Sequence, residues 1–578
     1  MKIWQLSPAA SPEFISAHPE LHPVVLQLLF NRGLTKPQDI KDFFNPPDFY
    51  DPFLFKNMTA AVALIIKHIK SGNKIVVYGD YDADGVTSSV ILWETLNILH
   101  AQADVYLPDR VSEGYGLNKP ALKTLSEQGT KLIITVDNGI RNKEAVAYAQ
   151  ELGLEVIITD HHSLPENRAD LPDCLYINPA NAEDNYPWAF LAGVGVSFKL
   201  VSALLIKANL PDSQKKLIFD KCLDLVAVGT VADMVNLLGE NRTLVQSGLK
   251  ILNLGRRLGL EELIKTAKIK NDRPLEAWNI GWQIGPRLNA ASRLAHANSA
   301  FSLLATTDAA EAKQLAEELN ERNNHRQQIT AEITASVEAQ IDSKNVPLVI
   351  IALAGAEDVW NEGVIGLVAG RIAEKYYRPT LIVTRVEEKD GQPGFKASGR
   401  SIPEFNLIAA IEESGEFLDK YGGHPMACGF SLIGEKNLAD FREKILVEAA
   451  KKLELDKLYP KLNIDVELKI ADINLALLDD LNALSPYGQN NPQPRFASYN
   501  VYVDDIVTMG VDKQHIKFRF SAGMTSIWGL AFGAAQTYQA LKIGDQVDLA
   551  YYLDINDFNG RREPQLKIID IRPSEIKK

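Results

Sequence analysis

Long apolar runs are missing from this chain: nowhere do about 18 uncharged apolar residues follow one another, so no helical membrane span is expected. The opening stretch, MKIWQLSPAASPEF, lacks the basic and apolar regions of a secretory signal, and a cytoplasmic location without membrane contact is the expectation. Cysteine is scarce too. Cys174, Cys222 and Cys428 stand alone among 578 residues, with no CxxC and no close histidine, which argues against a zinc ribbon or a disulfide framework and leaves them as packed thiols. Positive charge is in deficit: 61 Lys and Arg against 74 Asp and Glu give a formal net charge of −13. A generally basic, phosphate-binding surface is thereby excluded, and any polyanionic partner has to be held by metal ions and a few placed arginines. Low-complexity segments and repeats of fixed period are absent as well.

The length suits about three or four domains, each with its own core. Residues 1–55 hold a short helical pattern, HPVVLQLLFNRGL, and a proline- and aromatic-rich stretch, and are expected to form a structured entry segment without chemistry. Over 56–305, the runs KIVVYGD, ADVYLPD, KLIITVDNG and LEVIITDHH alternate with helical segments such as NKEAVAYAQELG, and the remainder reads as mostly helical. Continuous Val/Ile runs with helices between them predict a parallel sheet covered on both faces. Within 306–344, Asp308 opens a long connecting helix, with Glu311 placed as in a capping box and Ile329, Ile333, Val337 and Ile341 recurring as one buried stripe. A second α/β domain over 345–455 has strands in VPLVIIAL and TLIVTRV around the helix GVIGLVAGRIAEKY. Over 456–578 five or six short β runs predict a small closed barrel of the OB kind. The expected class is α/β: a parallel-sheet catalytic domain, a connecting helix, a second α/β domain and an OB-like β-barrel.

What the chain has is acid at strand ends. Asp80, Asp82 and Asp84 close KIVVYGDYDAD, Asp137 closes KLIITVD, and Asp160, His161 and His162 close LEVIITDHH. If the first segment stays extended, its three carboxylates point to one side, a crowding that costs free energy unless a cation neutralises it. In open α/β sheets ligands bind outside the carboxyl ends of the strands, so these residues are expected to converge. Asp233, in LVAVGTVADMV, is a further acid in an apolar stretch that needs a partner. Oxygen ligands with one or two imidazoles suit Mn²⁺ better than Ca²⁺, with zinc as an alternative. Five or more carboxylates exceed the needs of one ion; two ions about 3.5–4 Å apart would satisfy them and activate water for attack on phosphorus. Taken singly, Asp84 could instead be a helix N-cap and the His-His pair a loop feature. The joint pattern at three strand ends points to metal-assisted phosphoester hydrolysis.

At these residues the sequence resembles the DHH phosphoesterase superfamily, named for the triplet at Asp160, His161 and His162, and within it the RecJ branch of single-strand-specific 5′ to 3′ DNA exonucleases. GDYDADGVTSS, VDNGI, TDHH and GTVADMV match its metal motifs in order, and LPDRVSEGYGLN, GPRLNAASRL, ASGRSIP, GGHPMACGFSL and LSPYGQNNPQPRF its further motifs. The resemblance implies two divalent cations, Mn²⁺ preferred with Mg²⁺ as the alternative, held by Asp82, Asp84, Asp137, His161 and Asp233. Asp137 would bridge, Asp80 would be a ligand or a nearby supporting acid, His162 would contact the scissile phosphate or leaving oxygen, and Asp160 would orient its neighbours. A ligating histidine needs its second ring nitrogen fixed, and Asp160 is the adjacent acceptor.

Substrate contacts are expected from the arginines. Arg110, Arg400 and the Ser398 hydroxyl could form a pocket for a terminal 5′-phosphate, a bidentate role that lysine fills less well. Arg287, Asn289, Arg293 and His424 would meet the backbone or scissile phosphate, and Tyr115 offers a face for a base. Solvated surface arginines and a packed turn tyrosine are the plain alternatives. Where the family has a histidine before GVIG this chain has Asn361, so no histidine role transfers there. LAGVGVSFKL has glycines but does not complete a dinucleotide loop. The implied activity is degradation of single-stranded DNA to 5′ mononucleotides in repair and recombination, by a monomer with a helicase and a single-stranded-DNA-binding protein as candidate partners. A phosphodiesterase for short oligoribonucleotides or cyclic dinucleotides is the alternative enzyme, and a noncatalytic replication scaffold the non-enzyme alternative, which the retained acids disfavour.

Overall fold

The computed structural model describes residues 2–574 except 47–48, 111, 271–272, 295, 356–357, 390–391 and 559–560. The Val/Ile runs form a five-stranded, all-parallel sheet in the order Gln102–Tyr106, Lys74–Tyr78, Thr130–Val136, Glu155–Thr159, Leu175–Ile177. The last of these is too short to show as a run in the sequence. Ile75, Val77, Leu132 and Ile134 pack on one face in the core that also holds helices Met58–Lys70, Ala83–Ile98, Gly193–Lys207 and Asp212–Ala232. Val76, Tyr78, Ile133 and Ile158 pack on the other against Lys119–Glu127 and Lys143–Glu151. Burial on both faces is what makes the runs continuous rather than alternating.

The connecting helix is Ala309–Ala339, with the Asp308 carboxylate accepting the Glu311 N–H at 2.8 Å. The capping box is incomplete, because the Glu311 side chain takes the Thr306 hydroxyl instead of reaching back to the Asp308 N–H. Its first half buries Ala312, Ala316 and Leu319 in the core of the parallel-sheet domain, and its second half buries Ile333 and Val337 in that of the second domain. The helix therefore fixes one domain against the other.

In the second domain, Ile350–Leu353 and Thr380–Lys389 are joined by three antiparallel strands that the sequence pattern does not announce: Gln392–Arg400, Ala427–Ile433 and Lys420–His424. Their glycine, serine and lysine content gives weak β propensity, and cross-strand pairing supplies the rest. The C-terminal barrel closes five strands, Phe496–Met509, His515–Ala522, Thr525–Ala531, Arg561–Pro573 and Gln546–Phe558, with the last pairing back to the first. Register shifts at Ser498/Val501, Val503/Asp505 and Ala550/Tyr551 supply the bends that closure needs.

The N-terminal segment packs on the barrel side. Ile3–Leu6 pairs in parallel with Lys461–Ile464, and Val25, Leu26, Leu28 and Leu29 of helix Pro23–Asn31 share a core with Leu468 and Leu477. The fully buried Arg242 guanidinium donates to the carbonyls of Phe43, Leu484 and Ala483, tying the parallel-sheet domain to the N-terminal segment and to the stretch that leads into the barrel.

Candidate metal centre and phosphate pocket

The strand Lys74–Tyr78 ends before the first acid motif, and the chain turns at once into helix Ala83–Ile98. The extended geometry expected for Asp80, Asp82 and Asp84 is thus replaced by a turn. Asp82, not Asp84, is the N-cap, its carboxylate accepting the Asp84 and Gly85 N–H groups at 2.9 and 3.1 Å. Asp84, in the first turn, accepts the N–H groups of Gly193 and Val194 at 2.7 and 2.8 Å, at the start of helix Gly193–Lys207. Two donors and a helix N-terminus favour its ionised form.

The strand ends do converge. His161 Nε2 lies 3.1 Å from Asp137 Oδ1, 3.5 Å from Asp233 Oδ2 and 3.9 Å from Asp84 Oδ2. Three overlapping groups, Asp80/Asp82/Asp137, Asp137/His161/His162 and Asp84/His161/Asp233, each bring their ligand atoms within 4.8 Å of one another, and Asp137 and His161 are each shared by two groups. Asp233 arrives as the residue capping the C-terminus of helix Asp212–Ala232. Asp137 has φ +65°, an uncommon conformation for a residue with a Cβ, held by its N–H to the Thr159 carbonyl at 3.0 Å.

The donor set fits a pair of divalent cations. Asp80 Oδ1, Asp137 Oδ1 and His161 Nε2 are buried without a hydrogen-bond partner, which is costly unless something else satisfies them. Burial, with Asp82 next, raises Asp84 to about 7, and burial, with Asp84 and Asp82 next, raises Asp233 to about 9. The same causes push Asp80 and Asp137 well above the carboxylate range. Burial, then His162, lowers His161 to about 4, which keeps it the neutral imidazole that ligates metals. So many acids cannot ionise together unless a cation takes the place of their protons.

Asp160 links motifs, but to a different histidine than expected. Its buried carboxylate accepts the Ile140 N–H at 3.0 Å, the N–H groups of His161 and His162 at 2.7 and 3.0 Å, and His162 Nδ1 at 2.7 Å. The His161 ring is instead oriented by the Leu191 backbone. Burial works against the charged form of His162, but Asp160 outweighs it and raises its pKa. Tyr115 is drawn into the same network: its hydroxyl donates to the Asp137 carbonyl at 3.1 Å and lies 3.0 Å from His162 Nδ1, the residue as a whole being 44% exposed.

Close approach depends on glycines. A Cβ at Gly193 would lie 2.5 Å from Asp137 Oδ1, and one at Gly229 would lie 2.8 Å from Asp84 Oδ1. The glycine-containing stretch LAGVGVSFKL, no nucleotide loop, is therefore part of the metal site's wall.

The arginines gather beside this cluster. Burial, then Arg110 and Arg326, lowers Arg293 to about 10, with Asp82 opposing and Arg400 adding to the effect. Arg110 stacks over the Tyr81 ring at 4.9 Å. Arg293 donates to the Gly363 carbonyl at 2.6 Å, across to the second domain, where Asn361 is the N-cap of helix Glu362–Tyr376. Arg400 Nη1 donates to the Gly399 carbonyl at 2.8 Å and lies 3.5 Å from Ser398 Oγ, against Gly366 of that helix. His424 sits on the exposed edge strand, opposite Ala427, which pairs on its other side with Arg400, so the two share a sheet face. Arg287 is directed by the Asn320 side chain at 3.0 Å and the Gln283 carbonyl at 2.7 Å. Asn289 is committed internally: its Oδ1 accepts the Ala83 N–H at 2.7 Å and so positions the first acid motif.

Arg326 and Asn323 are additions that the motifs do not point to. Asn323 Oδ1 accepts from Arg326 at 2.9 Å, while Arg326 Nε and Asn323 Nδ2 are buried and unpartnered. A signal is present in the sequence, since both fall on the stripe Ala312, Ala316, Leu319, Ile333, Val337 and interrupt it with polar groups.

A parallel sheet with acids and histidines converging at its carboxyl ends, joined by a long helix to an arginine-bearing second domain, defines a DHH-type phosphoesterase. Residues 74–230 match the DHH family, N-terminal domain, residues 345–451 the DHHA1 domain, and residues 464–570 the RecJ OB domain. The single-stranded-DNA-specific exonuclease RecJ of Bacillus subtilis (strain 168) is 37% identical over 577 residues, 99% of this chain and 71% of that protein. That of Haemophilus influenzae is 32% identical over 573 residues, 96% of each chain. The crystal structure of RecJ in complex with Mn²⁺ from Thermus thermophilus matches with a TM-score of 0.82 at 29% identity, covering 99% of this chain and 80% of that one. The chain belongs to the RecJ family of single-stranded-DNA-specific exonucleases.

Proposed function

We propose that this protein is a metal-dependent exonuclease that degrades single-stranded DNA from its 5′ end to 5′ mononucleotides. The observation that carries the reading is the set of three buried, unpartnered ligand atoms, Asp80 Oδ1, Asp137 Oδ1 and His161 Nε2, beside a group of arginines. Asp80, Asp82, Asp84, Asp137, His161 and Asp233 would hold two divalent cations, Mn²⁺ by preference and Mg²⁺ as the alternative. Such a pair supplies Lewis acidity and an activated water. Asp160 holds His162 Nδ1–H, which leaves Nε2 of a half-exposed ring to meet a phosphate or leaving oxygen, and the raised pKa of His162 favours the proton-donating form. Arg400, Ser398 and Arg110 would take the 5′-phosphate, so that cleavage is counted from an end. Arg287, Arg293 and His424 would contact the backbone, and Asn289 and Asp160 position other groups.

The domain assignment is a catalytic domain over 56–305, the helix within 306–344, a substrate-binding domain over 345–455 and a strand-gripping barrel over 456–578. No helix among the described residues is long and apolar enough to cross a membrane, in keeping with a cytoplasmic enzyme. We read it as a monomer. An exonuclease that rejects duplex needs single strands delivered to it, which makes a helicase and a single-stranded-DNA-binding protein fitting partners in repair and recombination.

The test is digestion of a 3′-labelled, 5′-phosphorylated single strand in Mn²⁺, beside the same strand in duplex and a dinucleotide, with Asp84→Ala as control. Progressive shortening of the single strand alone, lost in the variant, is expected. Cleavage of the dinucleotide alone would replace this reading with a small-oligonucleotide phosphodiesterase.

A further inference from the structure

Trp278 and Trp282 are 57% and 71% exposed, and of the seven tryptophans they are the two more than half exposed among the described residues. Elsewhere Trp360 is buried, and Trp4 and Trp93 give their indole N–H to Asp570 and the Ala103 carbonyl. Neighbouring Ala277, Ile280 and Ile284 are buried, so the segment is firmly seated while its two largest side chains point to solvent. Adjacent exposed aromatics on a rigid element mark a contact surface.

The segment runs between two parts of the nucleic-acid machinery. At one end Arg273 donates to the Ile555 carbonyl of the barrel at 2.9 Å. At the other it continues into helix Gly285–Leu294, which carries Arg287, Asn289 and Arg293 to the catalytic cluster. Between them Ile280–Ile284 forms a π-helix, a rare distortion that recurs at functional sites. Gly281 faces Val231 of helix Asp212–Ala232, which ends beside Asp233 and the 70% exposed Met234.

We propose that Trp278 and Trp282 form a stacking platform for the bases of the single strand between the barrel and the catalytic cluster, an inference that rests on the exonuclease reading. Both side chains offer a flat π-face and no charge, the chemistry that holds bases irrespective of sequence while arginines track the phosphates. Trp282 precedes Asn289 by seven helical residues, about 10 Å of rise, so the platform serves nucleotides beyond the scissile one.

The test uses the full chain, with Ca²⁺ replacing Mn²⁺ to halt hydrolysis. Binding is read by anisotropy for 5′-phosphorylated (dT)20 and for the same strand carrying abasic spacers at all but its 5′-terminal nucleotides. Trp278→Ala and Trp282→Ala are each expected to weaken binding of (dT)20 about tenfold, given what a stacked base contributes. On the abasic strand neither substitution should change affinity, and Trp282→Phe should recover most of the loss on (dT)20. Both side chains are exposed, so melting temperatures should match wild type. Equal weakening on both strands, or none on (dT)20, would overturn the platform, the latter pointing to a protein as the occupant of this surface. The exonuclease reading fails separately, if the wild type does not digest (dT)20 in Mn²⁺, and the platform falls with it.

Discussion

Gly193→Ala puts the geometry of the metal centre under direct test. The added Cβ would lie 2.5 Å from Asp137 Oδ1, 2.6 Å from its Cβ and 2.7 Å from its Cγ. Carbon contacts at rest are about 3.5–4.0 Å, so something must give by about 1 Å. Asp137 is held by its N–H to Thr159 and by its carbonyl to the Tyr115 hydroxyl, and the helix beginning at Gly193 is held by its two N–H bonds to Asp84. The displacement therefore falls on the carboxylates themselves. Overpacking of this size costs about 1–3 kcal/mol, and a shift of about 1 Å in a reacting constellation costs about 100-fold in rate. The variant should fold with a melting temperature lowered by a few degrees, need at least about tenfold more Mn²⁺ for half-maximal rate, and turn over about 100-fold more slowly. Gly195→Ala is the internal control: the three nearest neighbours of its Cβ are side-chain carbons of Leu191, at 3.3, 3.3 and 3.7 Å, just ahead of the same helix, and none belongs to a carboxylate. It should keep the wild-type Mn²⁺ requirement, with stability changed by no more than about 1 kcal/mol. The assay is Mn²⁺ titration of single-strand degradation together with thermal melting. A wild-type Mn²⁺ requirement in Gly193→Ala, or equal damage in Gly195→Ala, would refute the close-approach argument.

Two further outcomes follow from the electrostatics. Asp84 and Asp233 keep their protons to about 7 and 9, against 3.8 for the free side chain, so between these limits the folded, metal-free protein binds protons that the unfolded chain has released. Its stability therefore falls as pH rises through that window. Mn²⁺ takes the place of those protons, so the gain in melting temperature on adding it should be larger at about pH 8.5 than at about pH 5.5; a gain that does not vary with pH would contradict the coupling. Arg400→Lys loses a planar fork next to Ser398, and hydrogen bonds between charged groups are worth about 1.5–3 kcal/mol. The preference for 5′-phosphorylated over 5′-hydroxyl strands, measured as a ratio of kcat/KM, should drop by about tenfold or more, and an unchanged ratio would remove Arg400 from the 5′-phosphate pocket.

The chemistry of the site is more legible in the sequence than its geometry. Metal binding requires particular residue types, and strand ends are marked by local Val/Ile runs, so the pattern alone is enough to bring Asp80, Asp137 and His161 together. Which backbone holds each acid is not visible there: the turn after Tyr78, which makes Asp82 the cap, is set by helix Ala83–Ile98 docking on the sheet rather than by the motif. The partner of Asp160 is hidden for a similar reason, because the ring nearest in sequence to an acceptor need not face it once the loop folds, and His161 turns to Leu191 instead. Gly193 and Gly229 are needed only because Asp137 and Asp84 come close from distant parts of the chain. The N-terminal helix could not be placed on the barrel from local pattern, since its partners lie more than four hundred residues away.

The acidic net charge, which on its own counts against nucleic acid, becomes informative when set beside the arginines. A chain at −13 cannot attract a polyanion over its whole surface, yet Arg110, Arg326 and Arg400 all stand close enough to Arg293 to help hold its pKa down, and Arg326 keeps a buried N–H unsatisfied. Like charges gathered at such cost are stable where an anion joins them. They come from three different parts of the fold: Arg110 and Arg293 from the catalytic domain, Arg326 from the connecting helix, and Arg400 from the second domain's sheet. The proposed phosphate pocket would therefore be complete only when the two domains stand in register. That register is set where Arg293 meets the Gly363 carbonyl at 2.6 Å, a contact tight enough that a Cβ on Gly363 would lie 2.7 Å from the Arg293 carbonyl oxygen. On the proposed assignment, end recognition by Arg400 in the second domain and hydrolysis in the first would be coupled through this contact and the long helix, which is how one chain could measure a cut from a terminus without reading a base.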